Sequence, residues 1–379
     1  MLLPELIIEI LSILPVKSLC RFRCVSKLLL ALIKDTRFIN MHLATTQRKR
    51  LVLETVEFRR ELRGRKLKFI NAMCLFSVDL ETLSENEDKI FSVELDFTKP
   101  IPKLEFLWCL SSCNGLLCLL NGRRDCFLYN PSIQESKQIP DFHMRQLLPF
   151  GFGYAESIDD YKFVKVNHSR KRLDVYSLRN DSWTSIQIHL LYKDYKSFIA
   201  KCSRSGVFLN EVIHWVSKDV KGSFMIAVFD LVQEKFKTLP PPYIIPNNNC
   251  MYCLGILSGC LCLTVEISHF NIQVWIMKEY GMKGSWTRIL ICASFYWLKP
   301  LWYSNNSETM LILSDTREFV FCNTKDGKCK SIEVHGMRKR LDGITYDQVL
   351  DIGDEGEVEV YVESLVSPNY TNDFTTKGN

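Results

Sequence analysis

The chain opens on an apolar repeat of helical period. Leu3, Leu6, Ile7, Ile10, Leu11 and Leu14 recur at steps of three, one, three, one and three, one face of an amphipathic helix. Pro4 suits the first turn of such a helix, where a missing N–H costs nothing, and Pro15 cannot extend it. A second apolar set follows at Val16, Leu19, Phe22 and Val25, and a third helical run, Lys27 to Lys34, is almost continuously apolar. Ser26 is placed to cap that run. Three helices in about 35 residues have too much surface for their volume to bury all these side chains among themselves. They either dock on the rest of the chain or leave an apolar patch for a partner, and the pattern alone leaves both open.

Beyond residue 70 the helical period disappears. Short apolar or alternating runs take over, separated by turn residues such as Asn121-Gly122, Asp159-Asp160, Asn180-Asp181, Asp326-Gly327 and Gly353-Asp354. One phrase recurs, a strand ending in an aromatic or aliphatic pair, then a polar turn, then a short strand. It runs from Phe127-Leu128-Tyr129-Asn130-Pro131 to Lys137-Gln138-Ile139-Pro140, and again from Val175-Tyr176-Ser177 to Trp183-Thr184-Ser185-Ile186. Further copies start at Val228-Phe229-Asp230, Val274-Trp275-Ile276-Met277 and Phe321-Cys322-Asn323, with a weaker one at Val78-Asp79. Anchored on positions 79, 130, 177, 230, 277 and 323, the intervals are 51, 47, 53, 47 and 46 residues. That is the spacing of kelch-like propeller blades, each a sheet that must share its core with a neighbour. Asn114-Gly115-Leu116-Leu117-Cys118-Leu119 is echoed by Ser258-Gly259-Cys260-Leu261-Cys262-Leu263, with a turn at the glycine and alternate residues facing a blade core. The alternating run Val358 to Leu365 is placed to complete the first blade. The fold class is thus a small all-α unit of three short helices followed by an all-β repeat domain, a kelch-like β-propeller, with a β-sandwich as the alternative.

Composition narrows the class. Hydrophobic residues make up 47% of the 379 and charged residues 24%, a globular balance that excludes a mainly disordered chain. The longest uncharged run, Thr238 to Val265, is broken by Pro240-Pro241-Pro242, Pro246 and Asn247-Asn248-Asn249, so it is no membrane helix. The start of the chain lacks the basic region of a secretory signal, and the 15 cysteines are an odd number. Together these predict a soluble, cytoplasmic or nuclear protein with reduced thiols that fill the core of short strands. The net charge of +5 is an average over unlike parts. Residues 1–70 hold 15 Lys/Arg against 6 Asp/Glu, a net +9, and the remainder holds 33 against 37, a net −4. Nine basic residues fall between Arg48 and Lys68. Without interleaved aromatic side chains or zinc-finger spacing, this stretch reads as a solvated connector and not as a nucleic-acid patch.

Catalytic signals are missing. No phosphate loop and no Gly-x-Ser-x-Gly elbow occurs, and Gly151-Phe152-Gly153 lacks the third glycine and the following helix of a nucleotide site. Cys250-x-x-Cys253 with Cys260 and Cys262 invites a zinc reading, but Cys260 and Cys262 alternate with Leu261 and Leu263 as strand-core residues do. The seven histidines are scattered, and His214-Trp215 lies in a strand motif, so it reads as structural. No catalytic residue, cofactor or metal is expected.

Leu3-Pro4-x-Leu6, Ile10-Leu11-x-x-Leu14-Pro15-Val16-Lys17-Ser18-Leu19, Arg21-Phe22-Arg23-Cys24-Val25-Ser26-Lys27 and Phe38-Ile39 resemble an F-box in its plant spelling. One departure is Leu29, where the family usually carries Trp; a smaller side chain there implies weaker adaptor binding. Gly151-Phe152-Gly153-Tyr154, Val175-Tyr176-Ser177-Leu178 with Ser182-Trp183, Gly206-Val207 to His214-Trp215, Trp275 to Gly281 with Ser285-Trp286, and Tyr361 to Pro368 are similar to the F-box-associated domain. Within that family the sequence resembles the S-locus F-box-like proteins, in motifs shared widely among the family's members. The resemblance divides the chain into an F-box (1–42), a basic connector with a first strand (43–70), a propeller-like domain (71–366) and a disordered tail (367–379). It implies a substrate-receptor subunit of an SCF ubiquitin ligase, itself no enzyme. The F-box would dock a Skp-type adaptor, and through it cullin and RING proteins, while the β domain would hold the protein to be ubiquitinated, in the S-locus case a ribonuclease. Neither nucleic acid nor membrane is an expected partner. Candidate adaptor contacts are Leu3, Pro4, Leu6, Ile7, Ile10, Leu11, Leu14, Pro15, Leu19, Val25 and Leu29, a helix-in-groove set whose outward and inward members periodicity does not separate. Candidate substrate loops are Asp141–Leu148, Asn167–Arg172, Leu191–Lys201, Pro240–Asn249 and Trp302–Glu308. Beside the ribonuclease reading stands a receptor in stress or defence regulation; the competing functions are a propeller enzyme or sugar-binding protein, and an F-box scaffold that acts without degradation.

Overall fold

The computed structural model describes residues 4–46, 48–63, 66–83, 89–95, 107–121, 124–142, 149–167, 172–187, 205–218, 223–242, 252–268, 271–292, 295–304, 308–316, 318–341, 344–349 and 358–369. The N-terminal part is helical: α1 (Pro4–Ser12), α2 (Val16–Phe22), α3 (Lys27–Lys34) and α4 (Thr36–Thr45). Ser26 caps α3, its Oγ accepting from the Leu29 N–H at 3.1 Å. Where three helices were expected there are four. Asp35 caps α4 through Oδ1, which accepts from the Arg37 and Phe38 N–H groups, while Phe38 and His42, four residues apart, supply its buried face.

The strands follow in chain order: β1 (Lys49–Arg63), β2 (Lys66–Asp79), β3 (Lys89–Glu94); β4 (Leu107–Cys113), β5 (Leu116–Asn121), β6 (Cys126–Asn130), β7 (Glu135–Gln138); β8 (Phe150–Ala155), β9 (Asp160–Asn167), β10 (Arg172–Ser177), β11 (Ser182–Gln187). Then come β12 (Val207–Leu209), β13 (Val212–Lys218), β14 (Phe224–Asp230), β15 (Lys235–Leu239); β16 (Tyr252–Leu257), β17 (Cys260–Ser268), β18 (Asn271–Met277), β19 (Trp286–Cys292); β20 (Leu298–Tyr303), β21 (Thr309–Ser314), β22 (Phe319–Asn323), β23 (Cys329–Leu341), β24 (Ile344–Val349) and β25 (Val358–Val362). Each successive group of four from β4 to β23 is an antiparallel blade. The first blade is built from both ends of the domain, β25-β1-β2-β3, with Lys49 opposite Val362 and Leu53 opposite Val358. Parallel pairing of β3 with β23 joins the first and sixth blades at their outer edges. The basic stretch read as a connector is mostly strand, since β1 and β2 pair from Arg50 opposite Asp79 to Arg63 opposite Lys66.

Six hydrophobic cores each take residues from two neighbouring blades. Leu75 and Tyr361 share a core with Leu117 and Leu119; Leu128 shares one with Phe163, Val175 with Trp215, Val228 with Leu263, Val274 with Ile312, and Phe319 with Leu51. This closed ring is a six-bladed propeller and excludes the sandwich. Because neighbours cover both faces, β5 is buried along its whole length. Leu116, Cys118 and Leu120 face the third blade, while Leu117 and Leu119 face the first.

The repeated phrase marks the third strand of every blade. All six anchors, Asp79, Asn130, Ser177, Asp230, Met277 and Asn323, end such a strand. Their side chains explain the turn: Asp79, Asn130, Asp230 and Asn323 accept through Oδ1 from an N–H two residues on, and Ser177 Oγ accepts from Asn180 N–H. The Asn114-Gly115 and Ser258-Gly259 echo is a two-residue hairpin turn with positive φ at both positions. Asn210-Glu211 makes the same turn without glycine. One thiol expectation fails. Cys322 and Cys329 lie directly opposite across β22 and β23 with Cα atoms 4.2 Å apart, and they are joined as a disulfide.

Candidate functional site

The helical unit sorts the apolar positions that periodicity left together. Leu11, Val16, Leu19, Ile33 and Phe38 form its core, with Ile7, Leu14 and Leu29 packed partly against it. Leu6, Ile10 and Ile13 stay 42%, 49% and 63% exposed, a stripe at spacings of four and three along α1 and its end. At the corner between α2 and α3, Val25 and Leu28 are 68% and 77% exposed. Of the predicted contacts, Leu11 and Leu19 are therefore core residues; Leu6, Ile10 and Val25 face outward, and Pro15 is half-buried at the N-cap of α2. Leu3 lies outside the described residues, and Pro4 begins α1. Ile13 and Leu28 were not among the predicted contacts. Their signal was their chemistry, apolar side chains off the main stripe, which a search for the inward face passes over.

The C-terminal strand and the segment after it lock this unit to the propeller. Leu365 is part of the helical core, 1% exposed, and Val366 packs with Ile39 and Leu43 in the core shared by the second and third blades. Buried Asn130 donates through Nδ2 to the Ser364 carbonyl at 3.0 Å and the Val366 carbonyl at 2.8 Å. The close approach requires glycine at Gly115, where a Cβ would stand 2.7 Å from the Val362 carbonyl. Arg50 of β1 pairs with Glu363 at 2.9 Å and donates to Ser77, which meets the Tyr361 hydroxyl at 2.8 Å. Burial pulls the Arg50 pKa down, but Tyr361, Glu363 and Asp79 around it outweigh that and raise it. His42, 1% exposed, donates from Nε2 to the Leu14 carbonyl at 2.8 Å; that carbonyl only accepts, which fixes the tautomer. Burial lowers its pKa and keeps the ring neutral. Ser367, first residue of the segment read as a tail, bonds to Glu135, and residues 370–379 lie outside the described ones.

Strand direction gives the propeller two unlike ends. The third-to-fourth strand turns, and in the second to sixth blades the first-to-second turns, emerge at the end that carries the helices, where Ile133 of one such turn packs on the helical core. Second-to-third turns and the connections between blades emerge at the opposite end. Four of the five predicted substrate loops connect strands at that far end, and Trp302–Glu308 is at the near end. Residues 143–148, 168–171, 191–201, 243–249 and 305–307 of these loops lie outside the described residues. A central cavity of about 440 Å³ is lined by inner strands, among them Ser111, Val207, Leu254, Lys299 and Glu359, with Leu43 of α4 at its edge.

Two family models match the chain: the F-box domain over residues 1–40 and the F-box associated beta propeller domain over residues 68–368. The chain belongs to the F-box-associated β-propeller family. It is 26% identical to an F-box/kelch-repeat protein of Arabidopsis thaliana, over 96% of this chain and 95% of that one. It is 28% identical to the F-box protein CPR1 of the same plant, over 87% and 84%. Among solved structures it aligns with TolB from Acinetobacter baumannii at a TM-score of 0.35 and 9% identity, over 82% of each chain. An F-box followed by such a propeller is the arrangement typical of SCF substrate receptors, and an F-box implies binding to a Skp-type adaptor. In the described residues no helix is long and apolar enough to cross a membrane.

Within the F-box-associated propeller, the His214 ring is a tie between blades. Nδ1 donates to the Val207 carbonyl at 2.9 Å, and Nε2 accepts from the Tyr280 hydroxyl at 2.7 Å. Burial drives its pKa down to about 4, against the pull of the Val207 and Val212 carbonyls. Of the zinc-like cysteines, Cys250 lies outside the described residues, and Cys253 and Cys262 are buried strand residues. Burial raises the Cys262 thiol pKa. The described residues gather metal-ligating side chains at one place only, Cys292, Cys322 and Cys329.

Proposed function

We propose that this chain is a non-catalytic substrate receptor of an SCF ubiquitin ligase. Leu6, Ile10, Ile13, Val25 and Leu28 seat on the adaptor, and the far end of the propeller holds the protein to be ubiquitinated. The observation that carries the reading is the separation of helical side chains into a packed core and an exposed apolar set on a unit anchored to the propeller. Exposed leucines and isoleucines of this kind cost solubility unless a partner covers them. The receptor needs no nucleophile of its own. It raises the concentration of one lysine-bearing protein beside an enzyme supplied by the complex, and a rigid joint between F-box and propeller holds the two at a set distance. The finer form, in which the bound protein is a self-incompatibility ribonuclease, rests on the S-locus resemblance of the sequence.

The test is co-purification of adaptor and cullin with the full chain and with the double variant Ile10→Asp/Leu28→Asp, with folding followed by circular dichroism. Loss of adaptor from a folded double variant is expected, and undiminished capture sinks the assignment. Leu19→Ala is a poor probe of contact, because Leu19 is fully buried. For the substrate end, exchanging segments 143–148, 168–171, 188–204 and 243–251 for those of another family member should change the proteins captured under proteasome inhibition while adaptor binding persists. An unchanged set refutes the far-end reading.

A further inference from the structure

Neighbouring blades touch repeatedly at their outer edges, where the start of one fourth strand meets the end of the previous one. In two such places an indole closes the joint. Trp183 of β11 donates through Nε1 to the Pro140 carbonyl after β7 at 2.7 Å, and Trp286 of β19 donates to the Pro240 carbonyl after β15 at 3.0 Å. Between the fifth and sixth blades sulfur takes this position. Cys329 begins β23, Cys292 ends β19, and their Sγ atoms are 3.8 Å apart. Cys322, opposite Cys329 on β22, is the third sulfur, and all three Sγ atoms lie within 4.8 Å of one another. Cys292 and Cys322 are fully buried beside Leu290, Leu298, Ile312 and Val320, while Cys329 is half-buried and gives a way in.

We propose that the reduced trio Cys292, Cys322 and Cys329 is a binding site for one soft d10 cation, Cu(I) in preference to Zn²⁺. Three thiolates about 2.3 Å from a metal stand roughly 3.8–4.0 Å from each other, so Cys292 and Cys329 already have ligand spacing. Cys322 joins them once its bond to Cys329 opens. Among the described residues no histidine, carboxylate or fourth thiol completes the group. A three-sulfur set in an apolar slot suits a cation content with low coordination and soft ligands, and it leaves tetrahedral Zn²⁺ one donor short. A phosphine reductant opens the disulfide: phosphorus is oxidised to the phosphine oxide with oxygen from water, and the two sulfurs take up two electrons and two protons. Binding the cation then displaces thiol protons. The disulfide and the metal are mutually exclusive states of one site, and the metal state ties the fifth blade to the sixth.

The test uses the full chain, reduced with a phosphine, freed of reductant under anaerobic conditions and titrated with Cu(I) in competition with bicinchoninate. Wild type should take one tight equivalent more than Cys292→Ser and one more than Cys329→Ser, and protein left unreduced should withhold that equivalent. Circular dichroism shows that the variants are folded. If wild type and both folded serine variants titrate alike, the site does not exist. A parallel titration with Zn²⁺ against a chromophoric chelator should show no such difference. An equivalent of Zn²⁺ lost in Cys292→Ser would overturn the preference for Cu(I).

Discussion

Leu365→Ala tests how the F-box is held, because this side chain sits 320 or more residues from its helical neighbours in sequence and among them in space. Leu365 is 1% exposed in a core with Leu11, Val16, Leu19, Ile33 and Phe38. Truncating a fully buried leucine costs about 2–5 kcal/mol, the upper part where the surroundings cannot collapse. Here the neighbours are fixed by Asn130, whose bonds to the Ser364 and Val366 carbonyls hold the backbone on either side. Collapse is therefore limited, and the cost falls on a unit with few other buried residues. The assay is native-state hydrogen exchange. Amides of α1–α4 should exchange roughly 30-fold to several thousand-fold faster, up to the protection they start with, while those of β13, β14, β17 and β18 keep theirs. Asn130→Ala should act on the same helices by about 1–3 kcal/mol, since it takes the donor away from the carbonyls of two buried residues. Leu28→Ala, at an exposed position, should leave helix exchange within about 0.5 kcal/mol of wild type. If Leu365→Ala leaves α1–α4 unchanged, or loosens the fourth and fifth blades equally, the C-terminal segment is not the joint.

Three further outcomes are expected. His214 has its folded pKa depressed to about 4, below the usual 6.5, so its contribution to stability is complete above pH 6.5 and is lost as pH falls towards 4. Chemical denaturation should show a His214→Gln variant losing less stability than wild type between pH 7 and pH 4.5, by on the order of 3 kcal/mol at most; parallel curves would contradict the neutral buried ring. Lys162, buried in the third blade, donates to the Leu231 carbonyl at 2.7 Å and to Glu234 at 2.8 Å across the next blade. Lys162→Ala should cost about 1–3 kcal/mol and Glu234→Ala about 0–1 kcal/mol, because only the first strands a buried acceptor; equal losses in urea titrations would argue against this. Gly153→Ala would bring a Cβ within 2.6 Å of Phe208 Cε2, and about 1–3 kcal/mol of overpacking should appear as a lowered Tm. A variant as stable as wild type would mean that the third and fourth blades have slack.

Local patterns were legible from the residues themselves. The step pattern Leu6-Ile7-Ile10-Leu11-Leu14 announced α1, Ser26 announced the start of α3, and the polar residue closing each phrase marked five of the six third-strand ends, with Met277 closing the other. Each of these depends on groups within four residues of one another, where backbone geometry alone sets what can meet. α4 was missed because its buried face, Phe38 and His42, is too sparse to show a period, and Asn210-Glu211 was missed because a positive-φ turn without glycine has no sequence mark.

The sequence by itself determined that a short helical unit precedes about six copies of a β repeat, and where each copy's recurring phrase lies. Tertiary structure decided what each apolar residue does. Leu11 and Leu28 read alike in the chain, yet Leu11 is covered and Leu28 is bare, because the helices meet one another and Leu365 on one side only. The run Val358 to Leu365 was legible as a strand of the first blade; tertiary structure decided its register on β1, that Leu365 enters the F-box core instead, and that Cys292 reaches Cys329 across two blades. Those contacts join residues 37 to more than 300 positions apart. Periodicity carries no information over such distances; ring closure imposes them, since a propeller has no free edge only when its last strand pairs with its first.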